Sequence, residues 1–332
     1  MSNDQGEWRY VGIDVSAREL AVAERGAGGT GVWRVANTAA GHQQLGERLA
    51  AQGGPVRVCL EASGNYSLDV ALTLSRRRGM EVNLVNPRQA RRFAESLGER
   101  SKTDPVDARV LAEYGARMPW TAWQAPSAAA LQLRAITRAI AALVVTAAQQ
   151  KNRQHALAAS TALPPLVARE CARVEKYALQ RVERLRRQAQ RIVERDPHLR
   201  RCWAHLLTIP GVAEASGLAI LGELAILPAS LDARQWVAHS GLDPKQHVSG
   251  SSVERRPRIS RAGNRRLRAA LFMPALVAVQ HDPYLRGFYQ RLVGHGKAKL
   301  QALTAVMRKL LHGIFAMFRH DEDYHGEKLC AV

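Results

Sequence analysis

The sequence has few acidic residues relative to its basic ones. Its 332 residues include 29 Asp and Glu against 48 Lys and Arg, which gives a formal net charge of +19. Such an imbalance favours a polyanionic partner, most often nucleic acid, although the arginine bias of a GC-rich genome would raise the charge as well. Acidic residues that cluster in so basic a chain therefore require their own explanation.

Paired cysteines and long apolar runs are also lacking. Cys59, Cys171, Cys202 and Cys330 are scattered and form no C-x-x-C pair, which indicates reduced intracellular thiols rather than a disulfide frame or a zinc site. The first seven residues are polar and acidic, and no run of about 18 apolar residues is evident. We therefore expect no signal peptide and no membrane partner, in a cytoplasmic protein.

The N-terminal third has the pattern of an α/β unit. Three short strands at 8–15, 20–25 and 31–36 are separated by tight turns, which favours an antiparallel meander. Further strands are expected at 56–61 and 81–85, and helices at 39–51, 67–78, 88–97 and 105–117. Three antiparallel strands followed by β-α-β is the order of a ribonuclease-H-like fold, in which the first and fourth strands are neighbours.

Four carboxylates occupy special positions in this unit. Asp14 and Glu61 end two of the predicted strands, and Asp104 and Asp107 are three residues apart, so that on a helix they point the same way. Singly, each could be a cap or a surface charge; Asp104 could cap a helix that starts at Pro105. Together they predict a site of hard oxygen ligands for Mg²⁺ or Mn²⁺, in which a metal pair would clamp the two oxygens of a phosphoryl transfer.

A linker at 119–126 leads to two long helices with apolar residues in alternating steps of four and three, the spacing of a coiled-coil seam. Pro164-Pro165 separates them, which predicts an antiparallel hairpin. Small and polar residues such as Ala147, Gln150 and Gln154 weaken the seam. An intramolecular helix pair and a dimerisation arm are equally open interpretations.

The region from about residue 199 to 320 is expected to be mostly helical. Pro210-Gly211-Val212 predicts a helix-hairpin-helix turn that presents backbone N–H groups to a phosphate; a plain connection between helices is the alternative. Residues 241–252 predict a loop that exposes a serine, although a Ser-Gly step is more often a flexible linker. The tail after His320 is polar and is expected to fray.

Basic residues follow this loop at high density. Seven arginines lie between residues 255 and 268: Arg255, Arg256, Arg258, Arg261, Arg265, Arg266 and Arg268. Such a segment is typical of a phosphate-contacting surface, and its cations would stabilise the transition state of a serine attack on phosphorus. The residues expected to contact nucleic acid are Lys102, Gly211, Arg258, Arg261, Asn264, Arg265, Arg266 and Arg268.

Taken in order, these motifs resemble the insertion-sequence 110 family of transposases and the related pilin-gene inverting recombinases. The N-terminal resemblance is carried by Gly12-Ile13-Asp14-Val15, Glu61-Ala62-Ser63-Gly64-Asn65-Tyr66, Asn86-Pro87 and Lys102-Thr103-Asp104-Pro105-Val106-Asp107-Ala108. The C-terminal resemblance is carried by Pro210-Gly211-Val212, Gly241-Leu242-Asp243-Pro244 and the segment 259–268. It covers nearly the whole chain.

The resemblance implies a four-part chain. A ribonuclease-H/RuvC-like DEDD metal-binding domain would occupy 1–118, a linker and coiled-coil hairpin 119–198, a mostly helical serine transposase domain 199–320, and a polar tail 321–332. The fold class is thus α/β plus α.

The resemblance also assigns roles to residues. Asp14, Glu61, Asp104 and Asp107 would hold Mg²⁺, and Ser249 would attack a DNA phosphate to form a covalent phosphoserine link. Relatives often carry a second serine or a glycine pair at this step, whereas Ser251 and Ser252 follow it here, so these two serines remain alternative nucleophiles.

The implied activity is the movement of an insertion sequence, guided by a noncoding RNA that pairs with donor and target DNA. A homodimer or homotetramer near the bacterial nucleoid would carry it out. Two alternative hypotheses remain: a junction-resolvase-like, metal-dependent endonuclease that uses water, and a non-catalytic basic nucleic-acid-binding protein.

Overall fold

The computed structural model describes residues 8–25, 31–62, 64–99, 103–160, 162, 164–249 and 253–329, with the backbone alone for 246–249 and 253–257. The chain divides into two compact units, Met1–Ala125 and Pro126–Val332.

A five-stranded mixed sheet forms the centre of the first unit. Its strands are β1 (Arg9–Val15), β2 (Glu19–Arg25), β3 (Trp33–Ala36), β4 (Val56–Glu61) and β5 (Met80–Val85), in the order β3-β2-β1-β4-β5. The first three are antiparallel neighbours, whereas β1–β4 and β4–β5 are parallel. The predicted meander and the predicted pairing of the first and fourth strands are both confirmed.

Helices cover both faces of this sheet. They are α1 (Ala39–Ala51), α2 (Leu68–Ser75), α3 (Pro87–Ser96) and α4 (Asp104–Arg117), close to the predicted bounds. Apolar residues of α1 and α2, such as Leu45 and Leu74, pack with Ile13 and Leu60 in one core cluster. On the other face, Leu111 of α4 packs with buried residues of β4, β5 and α3.

Small residues allow α4 to approach the sheet closely. Ala21 and Ala23 of β2 form a cluster with Ala108 of α4. A Cβ on Gly12 would overlap the backbone of α4 at the Ala108 oxygen, and one on Gly115 would lie 2.9 Å from Cys59 Sγ. Helix α4 therefore runs antiparallel to β1, and its first turn lies at the strand end that carries Asp14.

The second unit is almost entirely helical. Its elements are α5 (Ala128–Leu157), α6 (Pro165–Arg195), α7 (Pro197–Leu207), α8 (Glu214–Leu224), α9 (Ala233–Ser240), β6 (Pro244–Ser249), β7 (Val253–Ile259), α10 (Arg265–His281), α11 (Pro283–Gly294), α12 (Lys299–His320) and α13 (Gly326–Leu329). Its core is built largely by α8, α10 and α12, through residues such as Leu221, Leu271 and Leu310.

Helices α5 and α6 form an antiparallel pair. Gln154 near the end of α5 donates a 2.6 Å hydrogen bond to Glu175 of α6, whereas Leu133 near the start of α5 shares a core cluster with Ile192 and Val193. The predicted helical hairpin is thus confirmed.

Helix α5 is also long and apolar enough to cross a membrane by length and composition, with a mean hydropathy of 1.6 over 18 residues. Arg134 and Arg138 interrupt its apolar residues, so the expectation of no uninterrupted run of about 18 apolar residues is not contradicted. A helix that packs within a soluble helical unit passes the same test, so this property alone does not indicate a membrane span.

Two expectations for the second unit are corrected. Residues 244–249 were expected in a loop, yet they form β6, which pairs antiparallel with β7 from Pro244↔Ile259 to Ser249↔Val253. Residues 321–329 were expected to fray, yet the Tyr324 hydroxyl donates a 2.7 Å hydrogen bond to Asp282, and Lys309 Nζ on α12 donates a 2.8 Å hydrogen bond to the Leu329 carbonyl. Long-range partners supply these contacts, and local sequence patterns do not reveal such partners.

Candidate active site and nucleic-acid interface

The ends of β1 and β4 bring two of the predicted carboxylates together. The parallel register pairs Gly12 with Cys59 and Ile13 with Leu60, so the next positions on the two strands are Asp14 and Glu61. Side chains alternate between the two faces of a strand. Gly12 and Cys59 both face α4, and Asp14 and Glu61, two residues further on, lie on the same side.

The other two carboxylates lie in the first turn of α4. Thr103 occupies the N-cap position, so Asp104 is not the cap and stands in the first turn with Asp107. The partial positive charge of a helix N-terminus stabilises carboxylates at these positions. The i, i+3 spacing predicted for Asp104 and Asp107 is therefore confirmed, and their turn lies near the end of β1.

Electrostatic coupling indicates that the four carboxylates lie in one neighbourhood. Burial, followed by the charges of Asp107, Asp104 and Glu61, raises the pKa of Asp14 from 3.8 to about 6, although a hydrogen bond from the Val15 backbone opposes the shift. Like charges in one locality disfavour ionisation. The structure thus brings the four predicted acids to one edge of the sheet.

The donor set suits a hard divalent cation in its chemistry. Mg²⁺ and Mn²⁺ prefer carboxylate oxygens, and a cation would relieve the repulsion that raises the pKa of Asp14. Within the described part of the chain, however, no group of three or more His, Cys, Asp or Glu side chains is arranged to hold a metal ion. The residue types therefore suit a divalent metal ion, but the described side chains are not arranged to coordinate one.

The predicted serine lies at the end of a hairpin. Ser249 is the last residue of β6, and its backbone pairs with Val253 at the start of β7. Ser251, Ser252 and the predicted contact residue Lys102 lie outside the described residues. Ser249 belongs to the second unit, whereas the carboxylates belong to the first.

The predicted basic segment forms a strand, a turn and the start of a helix. Arg258 on β7 is exposed, and Arg261 in the turn is exposed with a left-handed φ of 53°. Arg265 and Arg266 open α10 and are exposed as well. Arg268 is half-buried and donates a 2.7 Å hydrogen bond to the Ser240 carbonyl.

Asn264 uses both ends of its amide inside the protein. Its Oδ1 accepts hydrogen bonds from the backbone N–H groups of Arg266 at 3.0 Å and Leu267 at 3.2 Å, which caps α10. Its Nδ2 donates to Glu223 Oε2 at 2.7 Å. The amide therefore fixes the start of the basic helix.

Sequence reasoning missed Glu223 and the two arginines around it. The Glu223 side chain is 3% exposed and accepts hydrogen bonds from Arg138 Nε at 2.7 Å and Nη2 at 2.8 Å. Burial opposes ionisation of Glu223, but the bonds from Arg138 and Asn264 outweigh it and lower its pKa. A single carboxylate inside the apolar run 218–224 is the signal that could have revealed it.

Gly211 lies in the predicted hairpin between α7 and α8. Its φ is 94°, which favours glycine, and an added Cβ would lie 2.7 Å from the carbonyl oxygen of Pro274 on α10. The close approach of α10 explains the glycine, and phosphate contact by this turn stays a prediction.

Known families match the two ends of the chain. Residues 11–162 match the DEDD transposase family of IS110, and residues 204–290 match the family described as "Transposase IS116/IS110/IS902 family".

Individual relatives agree with these matches. A pilin gene-inverting protein of Moraxella bovis is 29% identical over 271 residues, covering 81% of this chain and 82% of the relative. One of Moraxella lacunata is 30% identical over 245 residues, covering 74% of each. The transposase for insertion sequence element IS1328 of Yersinia enterocolitica is 26% identical over 63% of this chain and 67% of its own length. The chain therefore belongs to the IS110 family of transposases and is a DNA recombinase of the insertion-sequence type.

Proposed function

We propose that this transposase exchanges DNA strands with a carboxylate-held Mg²⁺ or Mn²⁺ and a serine nucleophile. The observation that carries the proposal is the convergence of Asp14, Glu61, Asp104 and Asp107 at one sheet edge, where burial, followed by the charges of the other three acids, raises the pKa of Asp14 to about 6. Groups with strongly shifted pKa values cluster at functional sites. In the proposal, the four acids are the metal ligands.

The sheet supports a ribonuclease-H/RuvC-like assignment for the first unit. An antiparallel β1-β2-β3 meander is followed by parallel β4 and β5, and acids stand at the ends of neighbouring β1 and β4. Ligands in open α/β sheets gather at the carboxyl ends of the strands.

Ser249 is the proposed nucleophile. Its Oγ forms a bond to phosphorus while a DNA ester oxygen leaves and takes a proton; the reverse attack by a DNA hydroxyl releases the serine and reseals the strand. A bound divalent cation would supply charge neutralisation at the phosphate. Because the phosphoserine link conserves the phosphodiester, resealing needs no ATP. The exposed arginines 258, 261, 265 and 266 support this step, since they can neutralise phosphate charge.

We also propose that a noncoding RNA guides the enzyme to donor and target DNA. The net charge of +19 supports extensive nucleic-acid contact. We propose that the α5–α6 pair forms a coiled coil within a homodimer or homotetramer. The enzyme is proposed to act in the cytoplasm, on DNA of the nucleoid. If the purified protein joins DNA strands at the full rate without RNA, guidance by a noncoding RNA is contradicted.

The experiment measures strand joining and covalent adducts with labelled DNA. Asp14→Asn and Glu61→Gln should abolish joining, and Ser249→Ala should abolish both joining and the adduct on a denaturing gel. Glu95→Gln is the matched control, because Glu95 pairs with Arg91 on the exposed side of α3. An adduct that persists in Ser249→Ala but is lost in Ser251→Ala or Ser252→Ala would reassign the nucleophile.

The same assay separates the alternatives. Hydrolysed strands without any adduct would favour the resolvase-like endonuclease. Binding without cleavage at any Mg²⁺ concentration would favour a non-catalytic protein.

A further inference from the structure

Two guanidinium groups lie against the buried carboxylate of Glu223, and a third lies near one of them. Arg138 on α5 bonds it with two nitrogens, and Arg134, one turn earlier on α5, places its Nε 3.6 Å from Oε2. Arg266 on α10 is close enough to affect the ionisation of Arg134. Three cations and one carboxylate therefore lie in this neighbourhood, which leaves a local net charge of +2.

Among the described residues, Glu223 is the acid that acts on Arg134, and the neighbouring His239 does not add to the charge. His239 lies beside the cluster, and burial together with the charges of Arg134 and Arg138 lowers its pKa, so at neutral pH it adds no charge. Burial and the neighbouring charges of Arg138 and Arg266 lower the pKa of Arg134, against the attraction of Glu223. The cations therefore repel one another, and an anion bound among them would relieve that repulsion.

Arg134 has an unused donor in this cluster. Its Nε is buried, and no described residue accepts a hydrogen bond from it, because 3.6 Å to Glu223 is too long. The side chains of Arg134 and Arg138 are nevertheless 30% and 31% exposed. Each thus has one part held against Glu223 and another part open to solvent.

The cluster adjoins the basic helix. Asn264 bonds Glu223 and caps α10, so the same carboxylate that holds Arg138 fixes the helix turn that begins with Arg265 and Arg266. The N-terminus of this 17-residue helix adds its own partial positive charge.

We propose that Arg134, Arg138 and Arg266 form a binding site for backbone phosphate groups of duplex DNA. Glu223 positions the site and does not itself contact the phosphate. The proposal rests on the proposed phosphate-contacting role of α10 and extends that surface onto α5, which no motif in the sequence assigns to DNA. It depends on neither the metal nor the serine.

Arg134→Gln is the decisive variant. Arg138 still neutralises Glu223 there, so the fold is kept while one phosphate contact is lost. Binding of the full chain to duplex DNA of mixed sequence is followed by fluorescence anisotropy over a range of salt concentrations. We expect weaker binding, by about three- to tenfold at low salt, and a salt slope lower by about one unit.

Two further variants control for net charge and for packing. Arg173→Gln removes the same charge from an exposed position on α6, where Arg173 pairs with Glu170, and should leave the slope unchanged. Arg134→Lys keeps the cation and should retain most of the slope even if its thermal stability falls.

Several results would overturn the proposal. These are a wild-type slope in Arg134→Gln, an equal loss in Arg173→Gln, a slope lost equally in Arg134→Lys, or weakening seen with single-stranded RNA but not with duplex DNA. Failure of the α10 surface is recognised separately, because replacement of Arg265, which lies outside the proposed site, would then leave binding intact. Failure of the catalytic proposal is also distinct, because it is detected by strand joining in Asp14→Asn and Ser249→Ala and not by the salt dependence of binding.

Discussion

Gly12 on β1 lies directly against the backbone of Ala108 on α4, with no room for a Cβ between them. Gly12→Ala should therefore push α4 away from the sheet and destabilise the first unit by about 1–3 kcal/mol. Strand joining should fall further than stability does, because α4 carries Asp104 and Asp107. Thermal unfolding and the joining assay measure the two effects.

Gly31→Ala is the control for this substitution, since nothing lies within 4 Å of a Cβ at that position. If both variants unfold at the same temperature as the wild type, the close packing of α4 is refuted.

Asp14→Asn should stabilise the metal-free protein above pH 6. The pKa of Asp14 is about 6 in the folded protein, whereas its ordinary value is 3.8. Ionised Asp14 therefore opposes folding above pH 6, and this destabilisation is lost as the pH falls from about 6 to 3.8. The gain should be about 1 kcal/mol at neutral pH, after discounting for partial exposure, and absent near pH 4.

Added Mg²⁺ should make the wild type more stable than Asp14→Asn. It should raise the unfolding temperature of the wild type at neutral pH, and EDTA should cancel the rise, whereas Asp14→Asn should respond weakly. Equal responses of the two proteins would remove Asp14 from the ligand set.

Glu223→Gln should destabilise the second unit strongly. It leaves Arg134 and Arg138 without a counter-charge beside a buried amide, and breaking a buried ion pair of this kind costs about 2–4 kcal/mol when its cations are partly exposed. Glu183→Gln is the matched control, because Glu183 pairs with Arg186 but is 62% exposed; it should cost less than about 1 kcal/mol. Denaturant unfolding of both variants compares them, and equal values would contradict a buried network.

His205 should make the docking of the C-terminal segment pH-dependent. Its Nδ1 lies 2.8 Å from Asp323 and its Nε2 3.0 Å from Asp321. Burial opposes protonation, but the hydrogen bonds to Asp321 and Asp323 raise the pKa of His205 above 6.5 overall. The stabilisation is fully present below pH 6.5 and is lost as the pH rises through the raised value.

The variant His205→Gln should therefore unfold at a lower temperature than the wild type at pH 6, and the difference should narrow toward pH 9. His155→Gln, at an exposed position on α5, should show no such trend. If the difference in unfolding temperature stays constant from pH 6 to pH 9, protonation of His205 is not its cause.

Replacement of Arg265 and Arg266 by Gln should weaken DNA binding across all sequences and flatten its salt dependence by about two units. Arg268 is left in place, because its hydrogen bond to the Ser240 carbonyl gives it a structural role. Salt titrations of binding test this, and an unchanged slope would count against phosphate contact by α10.

Most of the first unit could be predicted from the sequence. Apolar β-branched runs locate β1, β4 and β5, and the short spacing of β1 to β3 favours an antiparallel meander. The position of Asp14 beside Glu61 follows from that order, because parallel strands end at the same edge. The alternative interpretation of Asp104 as the cap of α4 was wrong, because Thr103 takes the N-cap position.

The second unit was less predictable because its decisive contacts are long-range. The polar segment 244–249 becomes a strand only by pairing with β7. The ion pair of Arg138 with Glu223 joins residues 85 positions apart, and the bond of His205 to Asp323 spans 118 positions. Local periodicity contains no information about such partners, so the buried network and the packing of residues 321–329 were both missed.

Arg261 holds a left-handed backbone conformation that glycine adopts without strain and that costs an ordinary residue about 1 kcal/mol. A glycine at this position would raise the thermal stability and remove one cation beside Arg258 and Arg265. Selection for thermal stability alone would therefore favour loss of the Arg261 cation. Screens for improved versions of this recombinase should measure DNA binding together with thermal stability.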